Sequence, residues 1–169
     1  MYEIGDKVVV NDLMQTDYEY RIDARYGADF DKSFLPHFTP KEMLKFGVFE
    51  GKYCNDCHDE LPEDWFTEAK TSAIPCADSN FFKTKSRQSL QVWQNKGWIV
   101  DPDVRGWFQW YCRYYLGRRI PEIDAWQITR WRAFSRHAGQ IRANCDVGNL
   151  DCRPRQRQAL LQWSYDPFI

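Results

Sequence analysis

Residues 105 to 119, RGWFQWYCRYYLGRR, place six aromatic residues and four arginines in fifteen positions, and no other segment is so rich in both. Coiled as a helix, this stretch sets Arg105, Gln109 and Arg113 at i, i+4 and i+8, one polar line down an otherwise apolar rod. Trp107, Phe108, Trp110, Tyr111, Cys112, Tyr114 and Tyr115 wrap the rest of the circumference. A helix apolar nearly all round lies at the centre of its domain, and polar groups reaching inward from it must find partners or line a site.

The charges around this helix are divided along the chain. Residues 1–100 carry 12 basic and 17 acidic groups, and residues 101–169 carry 11 basic and 7 acidic, every one of those 11 an arginine. Arginine suits bidentate contact with phosphate or carboxylate and stacking on aromatic rings, so its use over lysine points to pairing geometry. Two destinations are open: an anionic ligand, or the acidic first part of the same chain. A chain of 169 residues can bury about 70% of the surface its unfolded form exposes, and it reads as a single domain, a loop-rich acidic wrap over 1–100 and a helical part over 101–169.

The wrap begins with a β-branched run, Lys7-Val8-Val9-Val10, after a turn at Gly5-Asp6, which predicts a short strand and a small strand pair. Residues 17–38 are aromatic and acidic without a clear period and read as a long ordered loop. Thr39-Pro40-Lys41-Glu42 is a capping-box helix start ended by Gly47; a second start lies at Leu61 to Phe66, and Ser89 to Lys96 forms a helical turn or two closed by Gly97. Residues 71–88 read as a loop. The central helix is expected to open at Asp101. After Pro121 a second helix is expected to about Ala143, with a buried line of Trp131, Phe134, Ala138 and Ile141 and a polar line of Arg132, Arg136 and Gln140. A third begins near Pro154. The fold class is mainly α, a C-terminal three-helix core wrapped by loops, short helices and a small strand pair.

The run RGWFQWYCRYYLGRR, the Trp-Arg helix after it and CRPRQRQALLQWSYD together resemble a family of small cytosolic proteins of uncharacterised activity. The resemblance implies that these segments belong to one functional unit; it implies no activity, cofactor or substrate.

Of the short motifs, Cys54-Asn55-Asp56-Cys57-His58 has the form of a c-type haem attachment signature, but attachment needs an exported chain and the N-terminus MYEIGDKVVVNDL reads as no export signal. Cys54 and Cys57 are half of a zinc site, with no second half at suitable spacing, since Cys145 and Cys152 have six residues between them and Cys76 stands alone. No cofactor is expected. With no apolar run near 18 residues the protein is expected in the cytoplasm, or alternatively the nucleus, with no membrane partner and its six cysteines as free thiols or metal ligands. His58 among Asp56, Asp59, Glu60, Glu63 and Asp64 offers an acid–base pair or a solvated charged loop, and His137 is a second histidine of either kind. No nucleophile elbow, P-loop or dinucleotide fingerprint is present.

The arginine, glutamine and aromatic system is what remains, and it predicts an anion-recognising protein whose partner is nucleic acid or a small anionic ligand. Nucleic-acid binding through Arg105, Gln109, Arg113, Arg132, Arg136 and Gln140 comes first, because arginine and glutamine read phosphates and base edges and aromatics stack bases. The net charge of −1 opposes broad nonspecific binding, so a local patch would have to carry it. The alternatives are a small enzyme with Arg105 and Arg113 clamping an anionic metabolite, and a structural or protein-interaction module.

Overall fold

In a computed structural model that describes residues 2–169, the chain is helix-rich with long connecting loops and one small sheet. Strand β1 (Lys7–Val10) pairs antiparallel with β2 (Tyr18–Arg21), Lys7 opposite Arg21 and Val10 opposite Tyr18. The two-residue period puts Val8, Val10 and Tyr20 into the core, while Lys7 and Glu19 pair on the outer face at 2.5 Å. Helix α1 (Pro40–Phe46) starts as the sequence predicts: the Glu42 amide donates to Thr39 Oγ1 at 3.2 Å, and the Thr39 amide donates to Glu42 Oε2 at 2.8 Å. Leu61 to Phe66 yields only a 3₁₀ turn, Glu63–Trp65. Helix α2 (Leu90–Asn95) is capped by Ser89.

Four helices follow rather than three: α3 (Trp107–Leu116), α4 (Pro121–Phe134), α5 (Arg136–Asn144) and α6 (Pro154–Gln162). Every residue of α3 except Tyr115 is buried, as a helix apolar all round requires. It starts six residues later than Asp101, because residues 100–106 form tight turns in which the Asp103 amide donates to Val100 O and the Gly106 amide donates to Asp103 O. The expected helix over 122–143 breaks at Ser135, where hydrogen bonds tighten to three-residue spacing, Ser135 to Arg132 and Ala138 to Ser135. The break divides its apolar line between two clusters: Trp131 joins the main core, and Ala138 and Ile141 pack with Leu160 in a second.

The loop over 22–38 is ordered by α3. Phe34 inserts its ring among Trp110, Tyr111, Tyr114 and Trp131, with centroids 4.9–5.7 Å away. At the other end of the helix the amides of Asp23 and Ala24 donate to Gly117 O, and a Cβ on Gly117, at φ +116°, would lie 2.1 Å from Ala24 O. Only glycine admits that approach.

The six cysteines are not all free. Cys145 and Cys152 are disulfide-bonded, which corrects the expectation of thiols or metal ligands throughout; α5 and α6 are neighbours, and the turn between them brings the two Cα atoms to 5.8 Å. Among the described residues no helix is long and apolar enough to cross a membrane.

Candidate anion-binding site

The line Arg105, Gln109 and Arg113 lies inside the molecule. Arg113 is wholly buried; its Nε and Nη2 donate to the two carboxylate oxygens of Glu60 at 2.6 and 3.0 Å, its Nη1 to Asp103 Oδ1 and Pro102 O, and its Nη2 also to Gln15 Oε1. Arg105 meets Asp56 through both terminal nitrogens, at 3.0 and 3.1 Å, and Asp12 at 3.0 Å. Arg118 forks onto Asp103 at 2.8 and 2.6 Å. Gln109 Oε1 accepts the Arg105 amide and so closes the start of α3. Burial pulls the Arg113 guanidinium down, and Glu60 and Asp103 more than offset it, so it holds its proton more tightly than usual. Of the two destinations open to these arginines, carboxylates of the same chain take them: Asp12, Asp56 and Glu60 of the first part hold Arg105 and Arg113, and Asp103 of the second part holds Arg118 and shares Arg113. An arginine-lined surface at Arg105, Gln109 and Arg113 is thereby corrected, because a ligand has no access to donors already spent on carboxylates.

The second line is placed differently. Arg132, Arg136 and Gln140 are exposed, and only Arg136 opens onto the cavity of about 510 Å³ that lies between α2, the start of α3, the α4–α5 junction and α6. Gln140 Oε1 accepts from Gln156 Nε2, which also donates to His137 Nδ1 at 2.9 Å. That bond leaves the His137 proton on Nε2, with the ring at the cavity wall. Burial, then Arg136, lowers the His137 pKa, so the ring is neutral near pH 7.

Trp107, Phe134 and Trp163 form one wall of this cavity, Trp93 and Trp98 another. Arg87, Arg130, Arg136 and Arg155 supply positive charge, and no aspartate or glutamate lines it. Arg87 is held by Glu50 at 2.8 Å. The other three have no carboxylate partner among the described residues: Arg130 donates to Trp98 O and Gln127 Oε1, Arg136 to Ala133 O, Arg155 to Lys85 O. Burial without an acid pushes Arg130 down to about 10, so it remains cationic at neutral pH. Arg87, Arg130 and Arg155 stand on three separate segments and share no spacing; the excess of arginine over lysine after residue 100 signals Arg130 and Arg155, and nothing in the sequence signals Arg87.

The remaining expected residues do not converge. His58 is exposed and stacks on Phe66 at 3.7 Å, while Asp56 is engaged by Arg105; no carboxylate pairs with His58 or His137 among the described residues, so the acid–base alternative gains no partner. Cys54, Cys57 and Cys112 are buried side by side around a small void, and burial together with the Cys57 thiol drives the Cys54 thiol up, with the Cys57 hydrogen bond the larger cause. Among the described residues no three His, Cys, Asp or Glu side chains are arranged as a metal needs, so the zinc reading of Cys54 and Cys57 gains no further ligand.

No protein-family model matches this chain, and no curated protein and no solved structure matches it either.

Proposed function

We propose that the protein recognises a compact anionic ligand in the cavity between α2, α3, α4, α5 and α6. The observation that carries this reading is the division of the arginines: Arg105, Arg113 and Arg118 are neutralised by carboxylates, whereas Arg130, Arg136 and Arg155 converge on an aromatic cavity without one. These guanidinium groups line the cavity without a counter-charge, and an anion would supply one through charge-assisted hydrogen bonds. A volume of about 510 Å³ is that of a small-molecule site. The expected nucleic-acid partner is kept here as a terminal nucleotide entering this cavity, because Arg105, Gln109 and Arg113 are buried and, of the exposed Arg132, Arg136 and Gln140, only Arg136 lines it.

Titration calorimetry with inorganic phosphate, small phosphate esters and a short single-stranded oligonucleotide tests the reading. Binding should weaken as salt rises, and Arg136→Ala or Arg155→Ala should weaken it about tenfold, as loss of one charge-assisted contact implies. Arg132→Ala, outside the cavity, should leave it unchanged. Absence of binding by every anion sinks the proposal, as does binding indifferent to both cavity arginines.

A further inference from the structure

The cavity carries more than charge. Its wall is a run of near-parallel rings: Trp107 stacks on Trp163 at 4.8 Å and 26°, and Trp163 stacks on Phe134 at 4.7 Å and 9°. Trp107 is 5% exposed, yet its indole Nε1 has no acceptor among the described residues. A buried donor without a partner is costly, a loss that a ligand acceptor would recover. Trp107 also opens α3, a ten-residue helix whose N-terminus, Gly106 through Phe108, lines the same cavity. Within that first turn Gln109 donates its amide to Tyr53 Oη, while the amides of Trp107 and Phe108 have no acceptor among the described residues. Helix starts of this kind favour negative charge.

The rings of Trp107, Trp163 and Phe134 cover one another's faces and make a rigid wall, whereas Trp93 and Trp98 line the cavity with no other ring stacked on them among the described residues. Their faces, the unpartnered Trp107 donor and a cationic rim suit a ligand with a flat ring, an acceptor on its edge and a phosphate on a tether. We infer that the cavity is a nucleoside-phosphate site, with the base against Trp93 and Trp98, its edge toward the Trp107 indole N–H, and the phosphate among Arg130, Arg136 and Arg155. The inference rests on the anion reading of the cavity and adds the ring. A free nucleotide and the phosphorylated end of a single strand share this chemistry. A base stacked on an aromatic side chain gains about 1–3 kcal/mol, which is roughly ten- to hundredfold in affinity.

The full chain is titrated with adenosine 5′-monophosphate, uridine 5′-monophosphate, ribose 5-phosphate, adenosine and inorganic phosphate, following calorimetric heat and tryptophan fluorescence. The nucleotides should bind at least tenfold tighter than ribose 5-phosphate and than adenosine, and should quench tryptophan emission. Ribose 5-phosphate binding as tightly as the nucleotides overturns the nucleoside assignment and leaves the anion reading intact. Adenosine binding as tightly as its monophosphate removes the phosphate from recognition and overturns both, as does no binding of any phosphate compound. Trp107→Phe, checked for its fold by circular dichroism, should weaken nucleotide binding about tenfold and leave ribose 5-phosphate unchanged; equal loss for both counts against the base contact. Competition between the mononucleotides and a 5′-phosphorylated decathymidylate then assigns the source, the tighter binder being the form the site takes.

Discussion

Arg113 and Arg136 are the same residue type on helices of similar pattern, and the burial of their surroundings sends them to opposite tasks. Arg113 spends its donors on Glu60, Asp103, Gln15 and Pro102 O, a planar fork that an ammonium cannot reproduce. Arg113→Lys is therefore expected to cost about 3–5 kcal/mol of stability, the scale of breaking a buried pair, and to leave ligand affinity unchanged in the protein that remains folded. Urea denaturation beside calorimetry checks it, and a loss of affinity at unchanged stability contradicts it. The i, i+4, i+8 spacing of this line was legible in the sequence. Its destination was not, because Asp12, Asp56 and Glu60 are about fifty to a hundred positions away and spacing says nothing of such distant partners. His137 carries a second prediction at this scale. Its folded pKa lies below the ordinary 6.5, so the unfolded chain takes up the proton first; the stability it contributes is full above pH 6.5 and is lost as pH falls below it toward the folded pKa. Beside burial, the Arg136 charge opposes its protonation, and a phosphate bound in the cavity is expected to favour it. Proton NMR of the His137 ring should give a pKa below 6.5 in the free protein and a rise on phosphate binding; an unmoved value counts against the ligand's place in the cavity.

At the scale of the element, the start of α3 depends on Gly106. Its φ is +91°, and a Cβ there would lie 3.0 Å from Ile99 Cδ1, with Trp93 just behind at 3.7 Å. Gly106→Ala should cost about 1–3 kcal/mol through the positive φ and should shift the Ile99 side chain, which lines the cavity beside Trp93. Fluorescence-detected nucleotide titration and thermal melting should both show it; a stable variant with unaltered affinity argues that this wall is not part of the site. The α5–α6 pair depends on the bond between Cys145 and Cys152. Closing so short a loop removes about 2–3 kcal/mol of chain entropy from the unfolded state, so Cys152→Ser is expected to lower stability by that amount. Since α5 carries Arg136 and His137 and α6 carries Arg155, affinity should fall with it, and a variant as stable as the parent contradicts the expectation. Capping chemistry made α1 and α2 readable in advance. The break at Ser135 was not, because one unbroken apolar line cannot show that its two halves serve different clusters.

Across the whole molecule, the acidic first part and the arginine-rich second part complete one another. Phe34 fills the space beside Trp110 and Trp131, Asp12, Asp56 and Glu60 neutralise Arg105 and Arg113, and Ala24 closes over Gly117. The division of charge along the chain foretold this pairing as one of two outcomes, while the site itself assembles from Phe49 to Trp163, a convergence of distant segments that no local pattern reports. Residues 101–169 expressed alone would retain α3 to α6 but leave Arg105 without an acid partner and Arg113 and Arg118 with only Asp103 between them. The same cut strips Ile22, Phe34, Met43 and Trp65 from the core, so the aromatic faces of α3 meet water, at about 1.5–3 kcal/mol for each large apolar side chain exposed. That fragment is expected to show helical circular dichroism without a cooperative thermal transition, and adding residues 1–100 in trans should restore both the transition and the nucleotide-induced quenching of tryptophan emission. A cooperative melt of the fragment by itself would mean that the helices carry their own core and that the buried carboxylates act on specificity of docking rather than on stability.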